Sequence, residues 1–401
     1  METLICVLRN LFPFKGYKFS VIENGNRILI GLTTCRKCGF CPSCGKRCGN
    51  VEDTYYRMVR DLDLAHRKCF LGFFQKKIRC RCGFRGLERL DFISKSRRVT
   101  KRMETYVASL AEKMSLKDTA KVVRLDWKTV KQIDRVYLRS LLPDISKMEI
   151  TRIAMDEIAI MKGHRYVTII RDYDTGIVIR TVMGRRYDDV ALALRTLGTG
   201  RLARIQCVSL DMWDPYIKAV KENCPNARLV FDKFHVVKKI NEALDCVRRK
   251  EFAKASESER LNMKRKRYLI LSREENLKPE QQEDLDKLVQ KNERLHKAYL
   301  LKEQILSIFD DATSSFEQIK GRIYIWFSNV LSNDLEEFYS VVDMMRSYLY
   351  GILNHFKYHM TNAIAEGFNT KINVIKRRAY GFRDVEYFML KIIQSSLPRL
   401  A

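Results

Sequence analysis

The spacing of apolar and polar positions changes several times along the chain, and each change marks a different kind of segment. Residues 1–34 form short segments of strand type, and the Asn-Gly pair in "ENGNR" predicts a hairpin turn between two of them. From residue 97 to residue 140 the period becomes helical, in the segments TKRMETYVASLAEKM, SLKDTAKVV and WKTVKQIDRVYLRSLL. Two short helices joined by the tight break at "RLD" are typical of a helix-turn-helix, although any small helical bundle shows the same pattern.

Residues 96–148 are therefore predicted to form a helix-turn-helix domain. Ser115 or Asp118 is expected to cap the middle helix, and Asp126 the last one. The last helix carries three cations that we expect to contact DNA: Lys128, Lys131 and Arg135.

Residues 149–236 alternate between strands and helices. The first three strands, RIAMDEIAI, RYVTIIRDY and GIVIRTVMG, are joined by short turns and predict an antiparallel meander. A helix, a fourth strand (RIQCVSLDMW), another helix and a fifth strand (ARLVFDKFHV) follow. From residue 237 to about residue 350 the chain is helical and highly charged, and a final helix is expected to start near residue 359. The pattern predicts a multidomain α+β protein.

Two adjacent acids, Asp156 and Glu157, interrupt the apolar first strand of this region. Alternation places Asp156 on the face of Ala154 and Ile158, and Glu157 on the opposite face. An unpaired carboxylate in an interior strand costs several kcal/mol, so a partner such as an ion pair or a metal is expected.

Two further acids occupy comparable places. Asp211 ends the apolar strand IQCVSLD, and Glu366 lies on the polar stripe of the final helix. Three carboxylates from two strands and a helix form a hard oxygen site suited to catalytic Mg²⁺ or Mn²⁺. Two such ions about 3.5–4 Å apart could activate water and hold the leaving oxygen of a phosphodiester. Glu157 and Asp214 remain alternatives, because an acid beside a strand is usually solvated or ion-paired.

The charge of the chain supports a polyanionic partner. Its 401 residues include 75 Lys and Arg against 48 Asp and Glu, a net charge of +27 that is spread over several basic clusters. Nucleic acid is favoured over a membrane surface. Since no apolar run approaches the ~18 residues that a membrane span needs, and Arg9 and Pro13 interrupt the apolar start, we expect an intracellular protein.

Nine of the twelve cysteines fall within residues 1–82 and include tight C-x-x-C pairs. Without an export signal, this spacing favours structural Zn²⁺ over disulfides. Cys41 and Cys44 with Cys80 and Cys82 would form a four-thiolate site from two turns. The choice of ligands stays open, because three other cysteines compete: Cys35, Cys38 and Cys48.

Several of these motifs together resemble the ISL3 family of bacterial insertion-sequence transposases. The resemblance is carried by "AMDEIAI", "SLDMWDPYIKAV", "LVFDKFHVVKKIN" and, most specifically, "EGFNTKINVIKRRAYGF". It implies an N-terminal zinc finger, a helix-turn-helix and a DDE catalytic triad on an RNase H-like fold. Carried over to this chain, the triad is Asp156, Asp211 and Glu366.

The resemblance also implies a division of the chain. The 154 residues between Asp211 and Glu366 far exceed the ~4–6 of an ordinary connection, so they are expected to hold a helical insertion domain. The resulting segments are an N-terminal strand and zinc module (1–95), the helix-turn-helix (96–148), the first part of the RNase H-like core (149–236), the helical insertion (237–352) and the C-terminal helices that complete the core (353–401).

Two further groups of residues are candidates for roles near the triad. Asp232 and His235 form a D-x-x-H pair like those of some insertion-bearing transposases, so His235 is given a supporting catalytic role; a structural histidine is an equal alternative. Behind Glu366, the cations expected to reach the DNA backbone are Lys376, Arg377 and Arg378, with Tyr380 stacking on an unpaired base. Cations favoured by a helix carboxyl end are the alternative interpretation.

The sequence thus predicts a bacterial, cytoplasmic and nucleoid-associated DNA transposase. It would bind double-stranded DNA at its element's ends and at the target, act as a homo-oligomer, and catalyse metal-dependent cleavage and strand transfer. A transposase-derived DNA-binding regulator and an RNase H-like nuclease without strand transfer are the alternatives.

Overall fold

A computed structural model describes residues 12, 14, 16–24, 27–34, 36–94, 98–161, 165–264, 266–360 and 363–398. The side chains of residues 22–24, 161, 262 and 363–366 lie outside that description. The chain divides into two compact units. The N-terminal unit comprises Met1–Leu142 with Arg378–Tyr380, and the C-terminal unit comprises Pro143–Arg377 with Gly381–Ala401.

The N-terminal unit begins with a five-stranded sheet. Its described strands are β1 (Tyr17–Asn24), β2 (Arg27–Thr34), β3 (Gly39–Phe40), β4 (Arg47–Cys48), β5 (Val51–Arg60), β6 (Lys68–Arg79) and β7 (Arg85–Leu87). The sheet order is β1-β2-β6-β5 with β7 also paired to β6, while β3 and β4 form a separate two-stranded ribbon. β1 and β2 pair in antiparallel fashion on either side of the predicted turn, whose residues 25 and 26 lie outside the described part of the chain, whereas β2 and β6 are parallel.

One face of this sheet forms the hydrophobic core of the strand module. Alternate residues of β2 and β6 are buried there together with Val59 of β5, and Phe73 and Phe92 meet edge to face with ring centroids 5.1 Å apart. Alternation along each strand puts the neighbouring residues on the opposite face, where Tyr56, Met58 and Phe74 are exposed while Gly72 and Lys76 are buried.

The described part of the N-terminal unit also contains three helices: α1 (Lys101–Lys113), α2 (Leu116–Val123) and α3 (Trp127–Ser140). The Ser115 hydroxyl accepts a hydrogen bond from the backbone of Asp118, and the Asp126 carboxylate accepts one from the backbone of Lys128. Ser115 therefore caps α2 and Asp126 caps α3, and both residues were among the predicted candidates. Arg124, with φ of 52°, ends α2 in the left-handed conformation and turns the chain toward α3.

The C-terminal unit is built on a second five-stranded sheet of order β10-β9-β8-β11-β12. Its strands are β8 (Arg152–Met161), β9 (Arg165–Asp172), β10 (Val178–Met183), β11 (Cys207–Leu210) and β12 (Arg228–Phe231), and the helices between them are α4 (Tyr187–Arg195), α5 (Thr199–Leu202) and α6 (Asp214–Asn223). β8, β9 and β10 form the predicted antiparallel meander, whereas β11 is parallel to both β8 and β12.

A long helical stretch follows β12. Its helices are α7 (Lys233–Lys254), α8 (Glu257–Met263), α9 (Arg267–Leu271), α10 (Pro279–Gln290), α11 (Glu293–Asp310), α12 (Phe316–Ser332), α13 (Tyr339–Ser347) and α14 (Leu349–Tyr358), with short 3-10 helices at Glu274–Asn276 and Glu336–Phe338. Trp326 is fully buried at its centre, and the Trp326 indole donates to the carbonyl of Leu301.

Two last helices, α15 (Ala363–Arg378) and α16 (Val385–Ser396), cover one face of the second sheet. Ile158 and Ile160 of β8 pack there against Ile372 and Phe388. Residues Ile153 and Met155 point to the other face, where α4 and α6 lie. The predicted start of the final helix near residue 359 is wrong, because His359 ends α14 in the left-handed conformation with φ of 49°. Among the described helices, none is both long and apolar enough to cross a membrane.

Candidate active site and zinc site

Asp156 and Asp211 occupy aligned positions on neighbouring parallel strands. Ser209 of β11 pairs with Ala154 of β8. Asp211 lies two residues after Ser209, and Asp156 lies two residues after Ala154. Residues two apart share a face, and neighbouring strands are about 4.8 Å apart. The two carboxylates therefore lie on the same face of the sheet, the one that α15 covers, and the charge of Asp211 acts on Asp156.

Helix α15 contributes directly to this pair. Asn369 Nδ2 donates to Asp156 Oδ2 over 2.6 Å, while Asp156 Oδ1 accepts from the backbone N–H of Glu157 at 2.7 Å. Glu366 lies one helical turn before Asn369 within α15, but its side chain lies outside the described part of the structure. An i, i+3 spacing places both positions on neighbouring parts of one helix surface.

His235 joins the pair through Asp211. His235 Nε2 lies 2.7 Å from Asp211 Oδ1, and Asp232 caps α7 by accepting from the backbone N–H of Phe234 at 3.2 Å. The cap fixes the first turn of α7, on which His235 stands. Burial lowers the pKa of His235, but the hydrogen bond to Asp211 and the charge of Asp211 raise it overall above its ordinary value.

Negative charge in half-buried surroundings characterises the site. Burial and, after it, the charge of Asp211 raise the pKa of Asp156 to about 6, against the hydrogen bond from Asn369, which lowers it. Two carboxylates held close in a low dielectric repel each other, and a divalent cation between them would remove that cost. Their oxygens are the ligands that Mg²⁺ and Mn²⁺ prefer, so the described part of the site fits such a metal.

The rival acids have partners of their own. Glu157, on the opposite face, accepts from Arg185 at 2.9 Å and from the Tyr216 hydroxyl at 3.3 Å. Asp214 starts α6 and accepts from the Tyr348 hydroxyl at 2.8 Å. Each of these two acids therefore already has a hydrogen-bond partner outside the pair formed by Asp156 and Asp211.

Two residues near the site were not identified from the sequence. Arg171 of β9 is buried, its guanidinium lies 5.0 Å from the centroid of the Phe368 ring, and its charge acts on Asp156. Gly351 of α14 lies so close to Phe231 that an added Cβ would stand 2.3 Å from the ring. A charged residue inside the apolar strand "RYVTIIRDY" was the available signal for Arg171, whereas the need for Gly351 depends on packing between distant segments.

The N-terminal unit brings together four cysteine sulfurs. The Sγ atoms of Cys41, Cys44, Cys80 and Cys82 all lie within 4.8 Å of one another, with Cys41–Cys82 at 3.6 Å and Cys44–Cys80 at 3.7 Å. A tetrahedral zinc site with Zn–S bonds of about 2.3 Å has sulfurs about 3.8 Å apart. The cluster therefore has the dimensions of a four-thiolate zinc site.

Backbone turns support this cluster. Gly45 donates to the carbonyl of Cys41 at 3.0 Å, and Gly83 to that of Cys80 at 3.0 Å. Burial raises the pKa of Cys41, but the N–H groups of Cys44 and Ser43 donate to its sulfur and lower the pKa to about 7. Donors around a sulfur stabilise the thiolate, which is the form that binds metal.

The competing cysteines lie elsewhere. The Cys48 thiol donates to the carbonyl of Arg79 at 3.0 Å, and Cys38 is half-buried outside the cluster. Cys35 falls outside the described residues.

The predicted DNA-contacting cations differ in exposure. Lys128 is exposed on α3, while Lys131 and Arg135 are half-buried. In α15, Lys376 Nζ donates to the carbonyl of Ala159 at 2.6 Å, Arg377 is exposed, and Arg378 is half-buried. Among these cations, Lys128 and Arg377 are therefore the most open to a ligand.

Comparisons with known proteins agree with this combination of elements. A family model described as "Transposase" matches residues 153–392, more than half of the chain, and one described as "Helix-turn-helix domain of transposase family ISL3" matches residues 88–137. The class defined by these matches is that of the transposases.

The named relatives make the assignment more specific. The chain is 32% identical over 396 residues to the transposase for insertion sequence element IS1001 of Bordetella parapertussis, covering 96% of this chain and 97% of the relative. It is 27% identical over 378 residues to the transposase for insertion sequence element IS1557 of Mycobacterium tuberculosis, covering 87% and 83%. The chain belongs to the ISL3 family of transposases.

Proposed function

We propose that this protein is a DDE-type DNA transposase that binds the ends of its insertion sequence, cleaves them and transfers the freed strand to target DNA. The observation that carries the proposal is the alignment of Asp156 and Asp211 on adjacent strands, beneath the helix that carries Asn369 and Glu366. The relatives' names, transposases for insertion sequence elements, support the substrate.

The catalytic fold is inferred to be RNase H-like. Three antiparallel strands followed by two parallel ones, in the order β10-β9-β8-β11-β12, support this inference. The helices between β12 and α15 would then be an insertion domain, with the segment boundaries predicted from the sequence.

Asp156, Asp211 and Glu366 would hold two Mg²⁺ or Mn²⁺ ions. When bound, the ions would supply an activated water or 3′-hydroxyl and neutralise charge at the leaving oxygen of the phosphodiester. The chain's own residues would position the reacting groups: the Asn369 amide, which donates to Asp156 Oδ2, would hold that carboxylate in place, and α15 would bring Glu366 to the same side of the sheet.

His235 is proposed as a positioning residue for Asp211. Its Nε2 at 2.7 Å from Asp211 Oδ1 restrains that carboxylate, and Asp232 restrains the turn that carries His235. The protonated ring could also neutralise part of the scissile phosphate's charge, since the pKa of His235 is raised by Asp211.

DNA is proposed to contact the protein at two places at least. Helix α3 would bind the duplex through Lys128, Lys131 and Arg135, and the end of α15 through Lys376, Arg377 and Arg378. A homo-oligomer on double-stranded DNA, in the bacterial cytoplasm at the nucleoid, completes the proposal. Structural Zn²⁺ held by the four clustered cysteines would stabilise the module next to the helix-turn-helix.

The experiment that tests this function uses the purified full-length protein, Mg²⁺ and a labelled duplex containing one end of the element with its flank. A nick or break at the end, followed by joined products with a target plasmid, is the expected result. Cleavage without joining would indicate a nuclease, and binding without cleavage would indicate a DNA-binding regulator.

A further inference from the structure

The face of the N-terminal sheet that points away from its core has an unusual composition. Between β2 and β6, Leu29 pairs with Phe70 and Gly31 with Gly72. Between β6 and β5, Gly72 pairs with Met58, and Tyr56 lies two residues before Met58 on the same face. These residues alternate with the buried core residues Ile30, Leu71, Phe73 and Val59, so they share the opposite face.

Aromatic and apolar side chains stand open on this face. Phe74 is 61% exposed, Tyr56 55% and Met58 52%. Tyr56 and Phe74 are register partners, and their rings meet at a tilt of 62° with centroids 5.4 Å apart. Adjacent exposed rings on a sheet are costly in water and are typical of a surface that covers a ligand.

Gly72 sets the orientation of Tyr56. A Cβ at Gly72 would lie 2.3 Å from the Tyr56 hydroxyl oxygen and 3.3 Å from a methyl carbon of Leu29. Tyr56 therefore lies across β6, and its ring runs along the sheet surface instead of standing away from it. Glycine at this position therefore leaves the space in which the Tyr56 ring lies flat on the sheet.

The unburied charges at the outward paired positions are cationic, while Arg60, whose guanidinium lies 5.4 Å from the centroid of the Phe70 ring, is buried and paired with Asp63. Arg27 and Lys68 are register partners, the Arg27 guanidinium lies 6.0 Å from the centroid of the Phe70 ring, and Lys18 is exposed on β1. None of the described residues at these outward paired positions is acidic, and Glu52 at the end of β5 is already paired with Arg85. Two cations opposite each other destabilise a sheet unless an anion lies between them.

We propose that this face binds an unpaired strand of DNA, with bases stacked on Tyr56 and Phe74 and phosphates held by Lys18, Arg27 and Lys68. Exposed aromatic rings with flanking cations on a sheet are the recognition chemistry of single-stranded nucleic acid. The source of such a strand, DNA opened or cut at an element's end, rests on the proposed function. A second copy of the chain fits less well, because identical cationic faces would repel each other.

The test measures fluorescence anisotropy of a labelled oligothymidylate of about a dozen nucleotides against the full-length protein. Tyr56→Ala and Phe74→Ala should each weaken binding roughly five- to hundredfold, the loss of one stacked base. Phe74→Trp should retain binding, because it keeps an aromatic face. Tyr268→Ala, which removes a ring that is 75% exposed elsewhere in the chain, is the matched control and should bind like the wild type.

Salt dependence supplies a second measurement. Arg27→Ala should reduce the slope of log affinity against log salt by about 0.7, the value for one phosphate contact on a single strand. The proposal is overturned if the wild type does not bind the oligothymidylate, or if the alanine variants bind it as well as Tyr268→Ala does. It is also overturned if Phe74→Ala weakens binding of duplex DNA as much as it weakens binding of the oligothymidylate. A third contrary result is that Phe74→Ala leaves oligothymidylate binding intact but converts an oligomer to a monomer in light scattering, which would make this face an interface between copies of the chain.

Failure of this proposal can be told apart from failure of the proposed function. A protein that binds the oligothymidylate through this face but never cleaves an element's end would retain the binding site and lose the transposase assignment. A protein that cleaves and joins DNA but does not bind the oligothymidylate would keep the transposase assignment and lose the single-strand binding site.

Discussion

Replacing Cys44 by serine removes one of the four clustered sulfurs and changes little else, because Cys44 is exposed and its oxygen analogue has almost the same shape. A serine hydroxyl is a poor zinc ligand, so the site should lose its metal. Cys38→Ser is the matched control: Cys38 belongs to the same cysteine-rich segment but lies outside the cluster.

The expected loss of local stability depends on how few interactions other than zinc binding hold the cysteine-rich segment in place. Ordering the ten residues Gly39–Cys48 costs about 10–20 kcal/mol of backbone entropy. Within that segment, the two backbone hydrogen bonds of the turn, from Cys41 to the carbonyl of Lys46 and from Gly45 to that of Cys41, contribute only about 2 kcal/mol. Structural zinc contributes about 10–16 kcal/mol in zinc-finger peptides, which is the size of the remaining cost. Without it the ribbon of β3 and β4 should unfold locally.

Two measurements check this reasoning. Elemental analysis should give about one zinc per chain for the wild type and for Cys38→Ser, and almost none for Cys44→Ser. Hydrogen exchange should lose protection within Gly39–Cys48 in Cys44→Ser while the second sheet stays protected. If Cys38→Ser loses zinc and Cys44→Ser keeps it, the ligand assignment is wrong; if all three proteins lack zinc yet protect the segment, the energetic argument is refuted.

Three other substitutions test separate parts of the structure. Lys128→Ala should weaken binding of an element's end and lower the salt slope by about 0.9, measured by anisotropy; an unchanged slope would place the recognition surface elsewhere. Arg377→Ala should reduce end binding or cleavage, and wild-type values for both would favour a purely structural role for the end of α15. Gly351→Ala should destabilise the fold by about 1–3 kcal/mol in denaturant unfolding, because its methyl group meets Phe231. Gly321→Ala, with open space around its added Cβ, should instead stabilise α12 by about 1 kcal/mol.

Local patterns predicted the elements of this protein well. The caps Ser115 and Asp126 could be identified because capping depends on residues within one turn. The meander of β8, β9 and β10 followed from short turns between apolar segments. The opposite orientation of Asp156 and Glu157 followed from the alternation of a strand, and the structure gives the two acids different partners.

These local patterns could not predict contacts between segments that are distant in the sequence. The parallel pairing of β2 with β6 joins segments that no local period connects. The end of α14 at His359 depends on one residue adopting a left-handed conformation inside a sequence that continues to look helical. The proximity of Arg171 to Asp156 required the register of β8 with β9, and the narrow space at Gly351 required the packing of α14 on β12.

Cleavage of a labelled element's end by carboxylate variants tests the central claim most directly. Asp156→Asn, Asp211→Asn and Glu366→Gln keep size and polarity but remove the charge that would hold the metal ions. Each should lose cleavage and strand transfer while its unfolding transition and its binding of the end stay near those of the wild type. Glu157→Gln, on the opposite face and paired with Arg185, should still cut. Cleavage by Asp156→Asn together with an inactive but folded Glu157→Gln would contradict the account.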